Sequence, residues 1–222
     1  MNKRIERIAS FVPKGAIVAD IGTDHAQLPI LLVKDKICDK VYACDDKQGP
    51  LNSAIENIKK NHMDKSIETV LSDGFHIVPK DITCAVIAGM GYQTVIHILE
   101  DAKERLSQLE TIIVQVNDDL YSFRKYLSEN HYSIVKEDLI VDRKKYYTII
   151  VFNTNYHDSY SDIELLHGPC LMKENTPLYQ EYVKKQLTHY EKLMELAKND
   201  SDTLKEYQAV YQLWQKKSPQ MK

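Results

Sequence analysis

The chain has 222 residues, of which 43% are apolar and 27% are charged, and its formal net charge at pH 7 is −3. This length and apolar content are sufficient for one ordinary hydrophobic core and an accessory region. No apolar run reaches the roughly 18 residues that a membrane-spanning helix requires, and the slightly acidic charge does not by itself indicate a nucleic-acid binder, which needs at least a local basic surface.

Apolar runs alternate with amphipathic segments through the first two thirds of the chain. The predicted strands are residues 16–20, 41–44, 67–71, 82–87 and 111–116, followed by a pair, 133–141 and 146–152, joined by a short charged turn. The predicted helices are residues 2–11, 26–33, 50–61 and 92–99, and Asp118 or Asp119 is the expected cap of a further helix. Pro50 would occupy the first position of its helix. This alternation predicts an open, mostly parallel α/β sheet that ends in an antiparallel pair.

The pattern changes in the last third of the chain, where apolar positions recur at intervals of three and four. The series breaks at residues 199–202 and then resumes, with Thr203 and Glu206 at capping-box spacing. Two helices with a short polar turn predict an antiparallel, coiled-coil-like hairpin. We therefore expect two domains, 1–156 and 157–222. The seam positions are Tyr179, Val183, Leu187, Tyr190, Met194, Ala197, Leu204, Tyr207, Tyr211 and Trp214.

Polar or glycine clusters follow the predicted parallel strands, and ligands of open α/β sheets bind at those carboxyl ends. The first cluster, within residues 18–29, places Gly22 between Asp20 and Asp24. Glycine lets a ligand approach the backbone, and the helix that follows offers free N–H groups. A pyrophosphate site needs three glycines, and two acids would repel it. The cluster instead suits a ligand with an ammonium and a sulfonium, such as S-adenosylmethionine; the alternative is a tight turn with solvated acids.

Two further acids fall at strand ends. Asp45 follows Gly22 at about the 20-residue spacing at which an acid binds ribose hydroxyls, although the adjacent Asp46 is an alternative. Asp73 follows the third strand, where its carboxylate would accept a hydrogen bond from an adenine amino group, with Gly74 allowing the ring to approach. A simple Asp-Gly turn without a ligand explains that pair equally well.

The remaining clusters each have a functional and a structural interpretation. The string Ala88, Gly89 and Met90 ends the most apolar strand, where glycine indicates close approach of a ligand or tight packing. His25 is either a proton carrier or a hydrogen-bonding residue of the turn. Asn117 either faces the crevice or caps a helix.

Metal and disulfide chemistry are not indicated. The four cysteines form no C-x-x-C pair, and the eight histidines show no recurrent ligand spacing. We therefore expect no metal site and no disulfide framework. The amino-terminal segment lacks the apolar core of a secretory signal, so the cytoplasm is the expected location.

The strings at residues 18–29, 49–50, 73–74, 87–91 and 115–117 together resemble the bacterial tRNA (adenine-22, N1)-methyltransferase family. The resemblance covers nearly the whole chain. It implies a Rossmann-like class I methyltransferase sheet with a C-terminal helical domain, S-adenosylmethionine as cofactor, and methyl transfer to N1 of an adenine in tRNA. The implied cofactor contacts are Asp20, Gly22, Asp24, His25, Asp45, Asp73, Gly74, Ala88, Gly89 and Met90, and the implied substrate contacts are Tyr92 and Asn117.

The chain departs from the family pattern at three positions. Asp45 replaces a usual glutamate, Tyr92 a usual glycine, and Val116 a usual proline. The resemblance places Asp24 beside the methyl donor, where its carboxylate would stabilise a cationic adenine and accept its N6 proton. Asp24 is therefore the predicted catalytic residue.

Basic residues near the carboxyl terminus are candidate phosphate contacts or ordinary solvated side chains. They are Lys184, Lys185, Lys192, Lys216 and Lys217 on the hairpin, and Lys144 and Lys145 in the charged turn. Methylation of a small molecule or a protein, and cofactor binding without catalysis, remain alternative functions. The sequence leaves the oligomeric state open and is compatible with a monomer.

Overall fold

The fold is described from a computed structural model for residues 2–154 and 159–216. The predicted domain boundary and Lys217 lie outside these residues. The strands are β1 Val18–Ile21, β2 Val41–Asp45, β3 Ile67–Leu71, β4 Cys84–Met90, β5 Thr111–Val116, β6 Ser133–Asp142 and β7 Lys145–Asn153. The helices are α1 Lys3–Ala9, α2 Gln27–Lys34, α3 Gln48–Lys60, α4 Tyr92–Asp101, α5 Lys103–Leu106, α6 Leu120–Glu129, α7 Asp162–His167, α8 Pro169–Glu174, α9 Pro177–Leu196 and α10 Ser201–Gln215.

The seven strands form one sheet in the order β3-β2-β1-β4-β5-β7-β6. Strands β1 to β5 are parallel, and β6 and β7 form the antiparallel pair at one edge. The predicted Rossmann-like sheet is confirmed. The chain moves outward from β1 to β3 and then returns to place β4 on the other side of β1. This reversal opens a crevice at the carboxyl ends of β1 and β4, the usual ligand position in such sheets.

Strand β4 is buried on both faces, as its uninterrupted apolar run predicts. Ala85 and Ile87 belong to the core on one face, whereas Cys84 and Val86 belong to the core on the other. The strand extends further than the sequence indicated, through residues 88–90, because Met90 pairs with Val116 after a register shift. The cluster after Ile87 is therefore part of the strand end rather than a separate loop.

Several local predictions differ from the structure at helix starts. Pro50 is the third residue of α3 rather than the first, which is still inside the first turn, where the helix needs no N–H donor. The cap of α10 is Asp200, whose side chain accepts from two backbone N–H groups, so the capping box predicted at Thr203 is wrong. The cap of α6 is Asp119, one of the two predicted acids. Three short helices, α5, α7 and α8, were not predicted because each is shorter than two helical periods.

The helical hairpin is confirmed. Tyr190 stacks edge-on against Tyr207, and Tyr182 against Trp214. The earlier residue of α9 contacts the later residue of α10, and the later contacts the earlier, so the two helices run antiparallel. All ten predicted seam residues are buried or half-buried. None of the described helices is long and apolar enough to cross a membrane.

A buried ion pair joins the sheet to the segment that leads into the hairpin. Arg124 of α6 and Glu137 of β6 lie 2.7 Å apart, with side-chain exposures of 2% and 0%. The Arg124 guanidinium also donates to the carbonyls of Leu165 and Leu166, and Glu137 accepts from the backbone N–H of Cys170. Both charges are thus paired and hydrogen-bonded, as burial demands.

We expect Glu137→Gln to lower the free energy of unfolding by about 3–5 kcal/mol, because it leaves the Arg124 charge buried without its counter-ion. The matched control is Glu129→Gln, which breaks the exposed Lys125–Glu129 pair of the same helix and should cost less than about 1 kcal/mol. Urea denaturation measures both. Equal losses in the two variants would contradict a special role for the buried pair.

Candidate functional site

The loop after β1 turns through backbone conformations that favour glycine. Gly22 has φ +76°, and Asp24 and Ala26 have φ near +50°. The N–H groups of Gly22 and Thr23 both donate to the carbonyl of Cys44, which anchors the loop to the end of β2. A Cβ on Gly22 would lie 2.0 Å from the terminal methyl carbon of Met90. The positive φ therefore favours glycine here, and a Cβ would in addition displace the flexible end of the Met90 side chain.

A cavity of about 200 Å³ opens between this loop, the end of β4 and the start of α1. It lies at the crevice that the strand order creates. Seven predicted site residues line it, and Asn2 and Arg4 of the amino-terminal segment complete the wall that faces β4. The seven are Asp20, Gly22, Asp24, His25, Ala88, Gly89 and Met90.

Two buried carboxylates stand at the ends of neighbouring strands. Asp20 is 6% exposed and accepts a 2.8 Å hydrogen bond from the Thr23 hydroxyl. Burial raises the pKa of Asp20 to about 7, and the negative charge of Asp45 adds to the rise, while the bond from Thr23 opposes it. Asp45 accepts from the backbone N–H groups of Asp24 and Lys47, one on each carboxylate oxygen. Each oxygen retains a lone pair for a ligand.

Asp24 and His25 lie at the rim of the cavity rather than inside it. Their side chains are 66% and 50% exposed, and His25 Nε2 lies 3.5 Å from a carboxylate oxygen of Asp24. The loop is held from outside by Asn57, whose side chain donates to the His25 carbonyl. The Asp24 carboxylate is therefore accessible to a molecule that enters from solvent.

Asp73 and Gly74 lie at the same edge of the sheet but do not line the cavity. The N–H of Ser72 donates to the carbonyl of Asp45, which places Asp73 next to the end of β2. Gly74 has φ +51°, and a Cβ there would contact the Ile98 side chain at 3.4 Å. The positive φ thus accounts for Gly74 without a ligand, because the contact with Ile98 would tolerate a Cβ.

A chain of side-chain hydrogen bonds connects α1 to β4 through β5. Arg4 donates to the amide oxygen of Gln115, and Gln115 donates to the side-chain oxygen of Asn117 at 3.0 Å. Asn117 in turn donates to the carbonyl of Gly89 at 2.6 Å. This network fixes the Asn117 amide beside the cavity. Sequence reasoning missed Arg4, because a charged residue off the apolar stripe of α1 looks the same whether it faces solvent or a cavity.

Tyr92 begins α4 directly after the β4 glycines. Its backbone N–H donates to a carboxylate oxygen of Asp118 at 2.6 Å, and a Cβ on Gly91 would lie 3.3 Å from the other oxygen. Asp118 thus holds the start of α4, a role that the sequence did not predict. Tyr92 and Asn117 adjoin the β4 side of the cavity without lining it. Within residues 2–154 and 159–216, no group of three or more His, Cys, Asp or Glu side chains is arranged to hold a metal ion.

The sheet order and the switch-point cavity, with Asp20 in its lining and Asp45 at the end of the neighbouring strand, fit a Rossmann-like methyltransferase domain. The family described as "Methyltransferase domain" matches residues 1–150. The tRNA (adenine(22)-N(1))-methyltransferase of Bacillus subtilis (strain 168) is 30% identical over 219 residues, which cover 96% of this chain and 92% of that protein. The chain belongs to the tRNA (adenine(22)-N(1))-methyltransferase family.

Solved structures agree along the whole chain. The B. subtilis M1A22 tRNA methyltransferase TrmK has a TM-score of 0.86 and 27% identity, covering 96% of this chain and 97% of that chain. A Streptococcus pneumoniae protein in complex with S-adenosyl-L-methionine has a TM-score of 0.86 and 30% identity, covering 96% and 99%. M. capricolum TrmK in complex with S-adenosyl-homocysteine has a TM-score of 0.82 and 27% identity, covering 96% of each chain.

We expect Asp20→Asn to remove a pH dependence of stability. The folded chain keeps a proton on Asp20 at pH values where the unfolded chain has lost it, so the wild-type free energy of unfolding falls as pH rises from about 4 to 7. The variant should gain relative to wild type by up to about 1.4 kcal/mol per pH unit across that window. Urea titrations at several pH values measure the difference. Asp46→Asn, an exposed acid, is the charge control; a difference that stays constant with pH for Asp20→Asn would contradict the prediction.

Proposed function

We propose that this chain transfers a methyl group from S-adenosylmethionine to N1 of adenine 22 in tRNA. The observation that carries the proposal is the cavity at the β1–β4 crevice, with the buried Asp20 in its lining and the buried Asp45 at the end of the neighbouring strand, in a chain that matches a tRNA (adenine(22)-N(1))-methyltransferase over 96% of its length. A tRNA substrate agrees with the cytoplasmic location expected from the sequence. The division into a cofactor domain, 1–156, and a helical domain, 157–222, remains part of the proposal.

The charges of the cavity fit the methionine part of this cofactor. Asp20 would accept from its ammonium group, because a buried carboxylate favours a cationic partner. Arg4, which lines the cavity beside Gly89, would bind its carboxylate. Asp45, with free lone pairs, would take the ribose hydroxyls, and Asp73 the adenine amino group beyond. S-adenosylmethionine supplies an electrophilic methyl carbon on a sulfonium sulfur.

The chain's own residues then have positioning and electrostatic tasks. Adenine N1 carries a lone pair, so no base is needed before attack, and alignment of the reacting atoms is the main requirement. The target base must leave its stack to reach the crevice. Tyr92 and Asn117, which adjoin the β4 side of the cavity, would contact it. Methylation makes the ring cationic, and the exposed Asp24 carboxylate would stabilise that charge and accept the N6 proton.

We expect the wild-type protein to form N1-methyladenosine at position 22, detected by mass spectrometry of tRNA incubated with S-adenosylmethionine. Asp24→Asn should lower kcat by about 100-fold or more, with the cofactor Kd from calorimetry changed only a few-fold. Asparagine tolerates the positive φ of this residue, so the loop should keep its shape. Absence of the modified base with the wild-type protein would refute the tRNA assignment. Near wild-type kcat in the variant would refute the role of Asp24 but leave the tRNA assignment standing.

We expect Arg4→Gln to weaken S-adenosylmethionine binding by about 10- to 100-fold, since a charge-assisted hydrogen bond is worth about 1.5–3 kcal/mol. The discriminating ligand is decarboxylated S-adenosylmethionine, which lacks the carboxylate that Arg4 would bind. Its affinity should be the same for wild type and variant. Equal losses for both ligands would show that Arg4 acts only by orienting Gln115.

A further inference from the structure

We call the cavity between the loop after β1, the end of β4 and the start of α1 the donor cavity. A second and larger cleft, about 550 Å³, adjoins it. The loop 117–119 forms its inner wall, and the Asn117 amide in that loop donates to the carbonyl of Gly89, a residue of the donor cavity. The outer walls come from the β6–β7 hairpin and from helix α9. We call this space the flanking cleft. It is the part of the molecule where the sheet and the helical hairpin meet next to the site.

The β6–β7 hairpin extends past the end of its neighbour β5. Val114 pairs with Ile150 in antiparallel register, so Val116 lies level with Thr148. Lys145 is therefore about three residues, roughly 10 Å, beyond the carboxyl end of β5. The overhanging turn brings Lys144 and Lys145 to the same edge of the sheet as loop 117–119, and both lysines line the cleft.

Aromatic rings held in fixed positions form the outer wall of the cleft, where β7 meets helix α9. The rings of Tyr146 and Tyr182 lie 5.2 Å apart, and Tyr182 packs edge-on against Trp214. The Tyr146 hydroxyl donates to Glu181 at 2.8 Å, and the ammonium of Lys185 lies 4.5 Å from the Tyr146 ring centre. The wall thus presents π-surfaces and a cation together, the combination that binds single-stranded nucleic acid.

The charges in the cleft favour an anionic ligand. Three lysines line it: Lys144, Lys145 and Lys185. Its two acids are engaged by backbone donors, Asp118 by the N–H of Tyr92 and Asp119 by the N–H of Ser122. Among the described lysines of helices α9 and α10, only Lys185 lines this cleft.

We propose that the flanking cleft binds a nucleotide adjacent to the target adenine, with its base on the Tyr146–Tyr182 wall and its phosphate at Lys144, Lys145 and Lys185. The identity of the RNA rests on the proposed function. Binding the adjacent nucleotide here would hold the RNA strand away from its base stack. The target adenine would then reach the β4 edge on the other side of loop 117–119.

The first test combines a protein change with an RNA change. Tyr182→Ala and Tyr182→Phe are assayed on intact tRNA and on tRNA carrying an abasic nucleotide at position 21 or 23. On intact tRNA, Tyr182→Ala should lower kcat/KM about 5- to 100-fold, and Tyr182→Phe should retain activity. One of the two abasic tRNAs should show the same loss with wild type and no further loss with Tyr182→Ala. Full additivity for both abasic tRNAs, or no loss with Tyr182→Ala, would overturn the proposal.

The second test uses exposed residues, so it does not depend on the packing of Tyr182. The double variant Lys144→Gln/Lys145→Gln should reduce the slope of log Kd for tRNA against log salt by about 1.5. The matched control, Lys59→Gln/Lys60→Gln, changes two exposed lysines in the last turn of α3, outside the cleft, and should leave the slope unchanged. A control effect as large as that of the cleft pair would overturn the proposal.

These outcomes are separable from failure of the proposed function. Filter-binding affinities need no turnover, so the lysine test decides the cleft even if the wild-type protein methylates no tRNA. Calorimetry with S-adenosylmethionine on each variant verifies that the donor cavity is intact. Methylation of adenine 22 that is insensitive to every cleft variant would leave the function standing and refute the cleft.

Discussion

The buried ion pair between Arg124 and Glu137 is the constraint on which the placement of the helical hairpin depends. Gly168, in the segment between sheet and hairpin, has room for no side chain, since a Cβ there would lie 2.6 Å from Glu137 and 2.7 Å from Arg124. The next residue back, His167, bonds the Tyr179 hydroxyl and lies 3.2 Å from the Leu213 carbonyl, so the contact continues into α9 and α10. Burial lowers the pKa of His167, which favours the neutral ring.

The buried ion pair is connected to the site through α6. Asp119 caps α6, the helix that carries Arg124. Asp119 also belongs to loop 117–119, which forms the inner wall of the flanking cleft. An uncompensated buried charge would therefore disturb more than stability, because the geometry of both spaces depends on where α6 and the hairpin stand.

The sequence predicted the sheet well, because each strand is a short apolar run with a polar or glycine end. It also predicted the hairpin, whose spacing of three and four persists for ten positions. It did not predict contacts between elements far apart in the chain: the bond from Arg4 to Gln115 spans 111 residues, and a charged residue on an amphipathic helix looks the same whether it faces solvent or a cavity. The short helices α7 and α8 were missed for a similar reason, because tertiary hydrogen bonds to Arg124 and Glu137 stabilise them more than local periodicity does.

The net charge of −3 conceals a separation of charge along the carboxyl edge of the sheet. Asp20 lies near the end of β1, Asp45 ends β2 and Asp73 follows β3, all on one side of β4. Lys144 and Lys145 lie beyond β5, at the start of β7. A cationic donor and an anionic RNA require opposite fields, and the strand order keeps those fields several strands apart. Loop 117–119 lies between them, where Asn117 and Asp118 bond β4 and α4. Under the proposed function, the target adenine would therefore meet the methyl donor at the β4 edge, on the acidic side of this loop.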